Sequence, residues 1–116
     1  MKNATFRHRL GFATQGLFEG WQREQSFRTQ VLIGVVTVFV TLLLGASGIW
    51  LAVVGLAIAL ALAAELFNSA LEALVDHLHP EIHSEIRVVK DMAAAGVLLI
   101  CLGALVVGLL FILSQR

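Results

Sequence analysis

Ala64-Glu65-Leu66-Phe67-Asn68-Ser69-Ala70-Leu71-Glu72-Ala73-Leu74-Val75-Asp76 is the stretch that decides how this chain is read. It continues a long apolar run without a break, yet carries four polar groups at helical spacing. From Glu65 the offsets are three to Asn68, seven to Glu72 and eleven to Asp76. At about 100° per residue these fall on one stripe of an α-helix, with Leu66, Phe67, Ala70 and Leu74 on the opposite face. Carboxylates are costly in a membrane helix and face a bundle interior or a functional cavity when they occur. The stripe is therefore the first candidate for chemistry.

Composition explains why a membrane enters the argument. Hydrophobic residues make up 59% of the 116 residues, and mean hydropathy is +0.89, well above an ordinary soluble domain. A chain this short can cover only part of that surface with itself, so lipid is the expected solvent. The length allows one domain, a single membrane unit over residues 1–116. Formal net charge is zero, which argues against a nucleic-acid partner. Cys101 is the only cysteine and excludes an intrachain disulfide. The first 30 residues mix Arg, Glu and Gln and lack the apolar core of a cleavable signal peptide.

Working outward from the stripe, residues 49–64 form its apolar approach, and the helix is expected over about 49–78. Trp50 suits one membrane interface. Fifteen residues later, about 22 Å along a helix, Glu65 nears the other edge of a ~30 Å hydrocarbon core. Upstream, residues 31–46 are a first uncharged run, with helix expected over about 26–46. Gly45-Ala46-Ser47-Gly48 reads as a tight turn; it lacks the Lys-Ser/Thr that a phosphate-binding glycine loop requires. Residues 1–25 form an amphipathic helix. Phe6, Leu10, Ala13, Leu17 and Trp21 make its apolar stripe, and Arg7, Arg9, Gln15, Gln22 and Arg23 lie off it. That pattern suits a helix lying among lipid headgroups, or one packed on the bundle. Downstream, residues 77–91 read as a long polar connection broken by Pro80, followed by a third span over about 91–113. Its small residues, Ala93 to Gly108, permit close helix contact.

The fold class expected is thus all-α and integral to the membrane, with three spans and one surface helix. Lys2, Arg7, Arg9, Arg23 and Arg28 precede the first span, and Arg87 and Lys90 lie between the second and third. The turn between the first two spans has no basic residue. The positive-inside rule makes the N-terminus and the 77–91 segment cytoplasmic, so the polar end of the second span faces the compartment that holds ATP.

Each candidate has a functional and a bland account. Glu65, Asn68 and Glu72 have the oxygen chemistry to bind Mg²⁺ or to accept a hydroxyl proton; they also suit a stripe wetted at the interface or paired with Arg28 and Lys90. Glu24 joins a metal site if the first span packs beside the second, or compensates helix-terminal charge. Lys90-Asp91 offers a point charge for phosphate, or an interfacial anchor. Asp76, His77, His79, Glu81 and His83 have metal-binding composition but poor spacing around Pro80, and a solvated loop accounts for them better.

Taken together, Glu65-x-x-Asn68-Ser69-Ala70-x-Glu72-x-x-Val75-Asp76, Glu81-x-His83 and Lys90-Asp91 resemble the bacterial integral-membrane diacylglycerol kinase family, which also includes the undecaprenol kinases. Gly11-Phe12-Ala13-Thr14-Gln15-Gly16-Leu17 and Glu24-x-x-Phe27-Arg28 are similar too. The resemblance covers nearly the whole chain. It implies a homotrimer in the cytoplasmic (inner) membrane that transfers the γ-phosphoryl of MgATP to a lipid alcohol, diacylglycerol first and undecaprenol as the alternative. By position, it implies Glu65 as general base at the lipid hydroxyl and Glu24 and Glu72 as ligands of Mg²⁺. Nucleotide contacts would come from Asn68, Glu72, Glu24, Lys90 and Asp91, and the lipid would enter past Ala13 and Trp21. Ile82 and Ala95-Gly96 depart from the family pattern without removing a catalytic group. The competing class is a small proton-coupled transporter, which shares the intramembrane carboxylate but has four spans.

Overall fold

The computed structural model describes residues 5–81 and 83–115. The part of the amphipathic segment at residues 1–4, with Lys2, and the departure at Ile82 lie outside the described residues. Among the described residues, four helices follow one another: α1 (Phe6–Arg23), α2 (Gln25–Leu43), α3 (Gly48–Leu78) and α4 (Ser84–Ser114). The last three are long and apolar enough to cross a membrane.

Thr5 starts α1 by accepting the amide of His8 at its hydroxyl, 3.4 Å away, which satisfies one of the amides a helix start leaves free. The stripe residues Phe6, Leu10, Leu17 and Trp21 all stay exposed, so the rest of the chain does not cover that face. The first two helices are separated by a single residue. Glu24 is extended, at φ −111° and ψ 108°, and turns the chain sharply. Arg28 holds this elbow: its Nη1 donates to the carbonyls of Trp21 (2.6 Å) and Gln22 (3.1 Å). A cation there meets unpaired carbonyls at the negative end of α1.

The turn between α2 and α3 falls where the glycines place it. Gly45 has φ +75°, a conformation without penalty only for glycine. Its amide bonds to the Leu42 carbonyl, and that of Ala46 to Thr41, closing α2 as a Schellman motif. Ser47 then caps α3 through the amide of Trp50. The antiparallel pair approaches closely at Gly34, where a Cβ would stand 2.8 Å from Ile58 Cγ2. A branched side chain next to its own backbone yields little, so Gly34→Ala is expected to destabilise by about 1–3 kcal/mol. Thermal unfolding in micelles measures this; an unchanged midpoint would show that the close approach is not kept in solution.

One expectation fails at the next connection. Helix α4 begins at Ser84, so the polar link is residues 79–83 and not 77–91. Polarity suggested a loop, but no helix breaker lies between Glu81 and Asp91. His83 caps α4 by accepting the Glu85 amide at Nδ1 (3.1 Å), and Glu85 suits the positive end of the helix. Leu66 is a second correction. It does not share the exposed face of Phe67 and Leu74; it packs on α1, where its Cδ2 would be 2.6 Å from a Cβ on Gly20.

At 31 residues each, α3 and α4 are about 46 Å long, longer than the ~30 Å hydrocarbon core. They form an antiparallel hairpin fastened at one end by Trp50 against Phe111, rings edge-on at 5.5 Å. Helix α3 packs against both α2 and α4. Between those two lies a groove of about 640 Å³, lined by Ile33, Val40, Ile58, Leu105 and Phe111 among others. The radius of gyration is 17.0 Å, against about 13 Å for a compact domain of this length. Among the described residues, Phe27, Val54 and Phe111 are the buried hydrophobic side chains. The molecule covers little of its own apolar surface.

The orientation has a direct test. In a Cys101→Ala background, Ser47→Cys is expected to react with an impermeant thiol reagent applied outside intact cells, and Ser84→Cys is not. Outside labelling at Ser84 alone would invert the topology.

Candidate active site

The polar stripe of α3 meets α2 just inside the elbow. Glu65 is half-buried, and each of its oxygens accepts a hydrogen bond from α2: Oε1 from Gln30 Nε2 at 3.0 Å, Oε2 from Ser26 Oγ at 3.2 Å. Gln30 Nε2 also lies 3.9 Å from Cys101 Sγ on α4. Three helices are therefore joined around one carboxylate.

One turn further along α3, Asn68 has its Oδ1 buried without a hydrogen-bond partner. A buried acceptor left empty is costly, which makes this oxygen the group in the stripe most in need of a ligand. The pairing of Ser26 and Gln30 with Glu65 sets the register of the two antiparallel helices, and Glu24 then stands level with the turn that carries Asn68. Glu72 follows one turn beyond, half-buried. Neither Glu24 nor Glu72 has a side-chain partner among the described residues.

Further out, Lys90 of α4 pairs with Asp76 of α3 through Oδ1. The bland account paired the stripe with Arg28 and Lys90: Lys90 does pair with the stripe, at Asp76, whereas Arg28 is used at the elbow. Asp91 is exposed beside it. Ala13 and Trp21 are exposed on α1, which reaches α3 where Leu66 sits on Gly20, one residue from Glu65. His79 and His83 face each other across the short loop, rings 6.0 Å apart.

Among the described residues, no three His, Cys, Asp or Glu side chains are close enough to hold a metal ion by themselves. The candidate donors suit one particular kind of ion. The carboxylates of Glu24 and Glu72 and the orphaned amide carbonyl of Asn68 are all oxygens, as a hard cation requires. Mg²⁺ is commonly held by one or two carboxylates with substrate phosphates filling its remaining positions. The residues present fit an ion that arrives with its nucleotide.

The profile of the family described as prokaryotic diacylglycerol kinase matches residues 11–112, which include every candidate from Ala13 to Asp91. The chain belongs to that family. It is 38% identical to a diacylglycerol kinase of Pseudomonas aeruginosa over 86 residues, 74% of this chain and 70% of that one. It is 29% identical to the diacylglycerol kinase of Escherichia coli K12 over 96 residues, 83% of this chain and 79% of that one. A diacylglycerol kinase of Synechocystis is 33% identical over 98 residues, 84% of this chain. The match spans only 56% of the Synechocystis protein's length. Membership places the chain among ATP-dependent lipid kinases, and with three spanning helices it is a multi-pass membrane protein.

Gln30 and Ser26 are the site residues that sequence reasoning missed. They stand four apart at the start of the first span, and so share a helix face. That spacing was the available signal; it was hidden because polar residues at a helix start are ordinary.

Proposed function

We propose that this protein transfers the γ-phosphoryl group of MgATP to the hydroxyl of diacylglycerol, giving phosphatidic acid, as a homotrimer in the cytoplasmic membrane with its N-terminus inside. The observation that carries this is Glu65: a half-buried carboxylate with both oxygens held by donors from α2, on one stripe with the unpartnered Oδ1 of Asn68 and with Glu72. Lipid reaches that depth from the bilayer, and nucleotide reaches the outer end of the stripe from water.

Phosphoryl transfer needs alignment and charge neutralisation more than covalent catalysis. Glu65 accepts the hydroxyl proton as the lipid oxygen bonds to the γ-phosphorus, and the bond to the bridging oxygen breaks to release ADP. Glu24, Asn68 and Glu72 would hold Mg²⁺, which supplies positive charge to the phosphates. Lys90 leaves Asp76 to meet a phosphate, a contact of greater charge than one carboxylate, and Asp91 faces the nucleoside. The open apolar faces and the groove beside α3 support an assembly of several copies, because one copy leaves so much surface uncovered.

The test is purified protein in mixed micelles with radiolabelled ATP and Mg²⁺, given diacylglycerol or undecaprenol separately. A higher kcat/KM on diacylglycerol is expected. Preference for undecaprenol would reassign the acceptor, and transfer to neither would overturn the kinase reading.

A further inference from the structure

The carboxylate of Glu65 is held asymmetrically, and the asymmetry bears on which of its oxygens works. Gln30 reaches Oε1 at 3.0 Å in a part-buried contact. The same amide nitrogen touches Cys101 Sγ at 3.9 Å, so it is steadied from α4 as well as α3. Were the amide turned over, its oxygen would face the carboxylate, and two acceptors would oppose each other. The Ser26 contact to Oε2 is longer, at 3.2 Å, and exposed. A serine hydroxyl is also chemically the same donor as the hydroxyl of a lipid alcohol.

We infer that Gln30 is a positioning residue that keeps Glu65 Oε1 in place throughout turnover, while Ser26 occupies Oε2 only until the acceptor hydroxyl displaces it. Oε2 is then the oxygen that takes the proton. The hydroxyl's O–H bond breaks toward Oε2, its oxygen bonds to the γ-phosphorus, and the phosphorus–oxygen bond to ADP breaks with its electron pair leaving on ADP. Gln30 exchanges no proton. Its part is geometric: a base misplaced by about 1 Å can lose 10²-fold in rate, and one fixed oxygen leaves the carboxylate only its other oxygen to present. Ser26 competes with the acceptor for Oε2. This inference rests on the reading of Glu65 as the base.

Four variants of the full-length protein in mixed micelles test it: Gln30→Met, which keeps length and loses the donor; Gln30→Asn, which stays polar but is too short; Ser26→Ala; and Glu65→Gln. Gln30→Met is expected to lower kcat about tenfold or more, with the KM for MgATP within twofold and oligomer size unchanged. Gln30→Asn should do the same, and serves if the methionine variant fails to assemble. Ser26→Ala should lower the KM for diacylglycerol, because the competitor is gone. In the Glu65→Gln background, Gln30→Met should cost nothing further. A kcat within twofold of the parent in an assembled Gln30 variant, or a raised lipid KM in Ser26→Ala, overturns the inference while an inactive Glu65→Gln still supports the base. Near-normal turnover in Glu65→Gln removes the base reading itself.

Discussion

Glu65→Gln is expected to bind MgATP and to assemble like the parent while losing at least about 10²-fold in phosphoryl transfer, the usual cost of removing a positioned base. The substitution keeps size and removes one property, the capacity to take a proton at pH 7. Two donors converge on this side chain, Gln30 on one oxygen and Ser26 on the other. An amide can keep both contacts: its oxygen accepts from Gln30, and its NH₂ donates to the Ser26 hydroxyl, which accepts as readily as it donates. If the role were structural, turnover per assembled unit would be retained, with assembly either kept or lost. Nucleotide affinity, oligomer size and turnover measured on one preparation separate the two. Near-normal turnover in an intact oligomer would remove Glu65 from the catalytic set.

The second large effect is expected at Glu72 and Glu24. Glu72→Gln should lower turnover by orders of magnitude and shift the Mg²⁺ titration to higher concentration, and Glu24→Gln should shift it in the same direction. The cause is electrostatic. Each substitution removes a negative charge from a donor set made only of oxygens, whose third member is the unpartnered Asn68 carbonyl. A hard cation prefers charged oxygen to neutral amide oxygen. Both glutamates lack other side-chain partners among the described residues, so neither substitution breaks an existing ion pair. The variants should therefore fold, and the loss should be partly recovered at high Mg²⁺. An unchanged Mg²⁺ titration in both would sink the assignment.

The parts of the fold that rest on one-dimensional pattern were legible in the sequence. The apolar runs gave the spans, and Gly45 gave the turn, because only glycine takes that backbone angle cheaply. The stripe of α3 was legible because helical spacing fixes which residues share a face. What failed depended on competition between weak local terms. Polarity alone could not show that α4 begins at Ser84, since a helix leaving the membrane turns polar without ending. The break between α1 and α2 was read to within two residues, but its form was not: the elbow is one residue long and is held by Arg28, seven residues from the carbonyl of Trp21. At the site, residue types within α3 were readable, while partners from other helices were not. The pairing of Gln30 with Glu65, and of Lys90 with Asp76, depends on helix register and rotation, which single-chain periodicity leaves open.

The length of α3 has a consequence for selectivity. With Trp50 at the far interface and Glu65 as the base, as proposed, the number of residues between them would set the depth of the base much as a gauge rod would. The acceptor hydroxyl is held at a depth too, by the headgroup region of the near leaflet. The two meet only where helix and bilayer agree in thickness. A membrane thicker by about 5 Å displaces the plane of the hydroxyls by about one helical turn relative to Glu65, enough to bring Asn68 where the carboxylate should be. On that proposal, choice among acceptor lipids would be shared between the protein and the membrane: the tails that set the thickness of the sheet would also decide whether the reacting groups arrive at the same height.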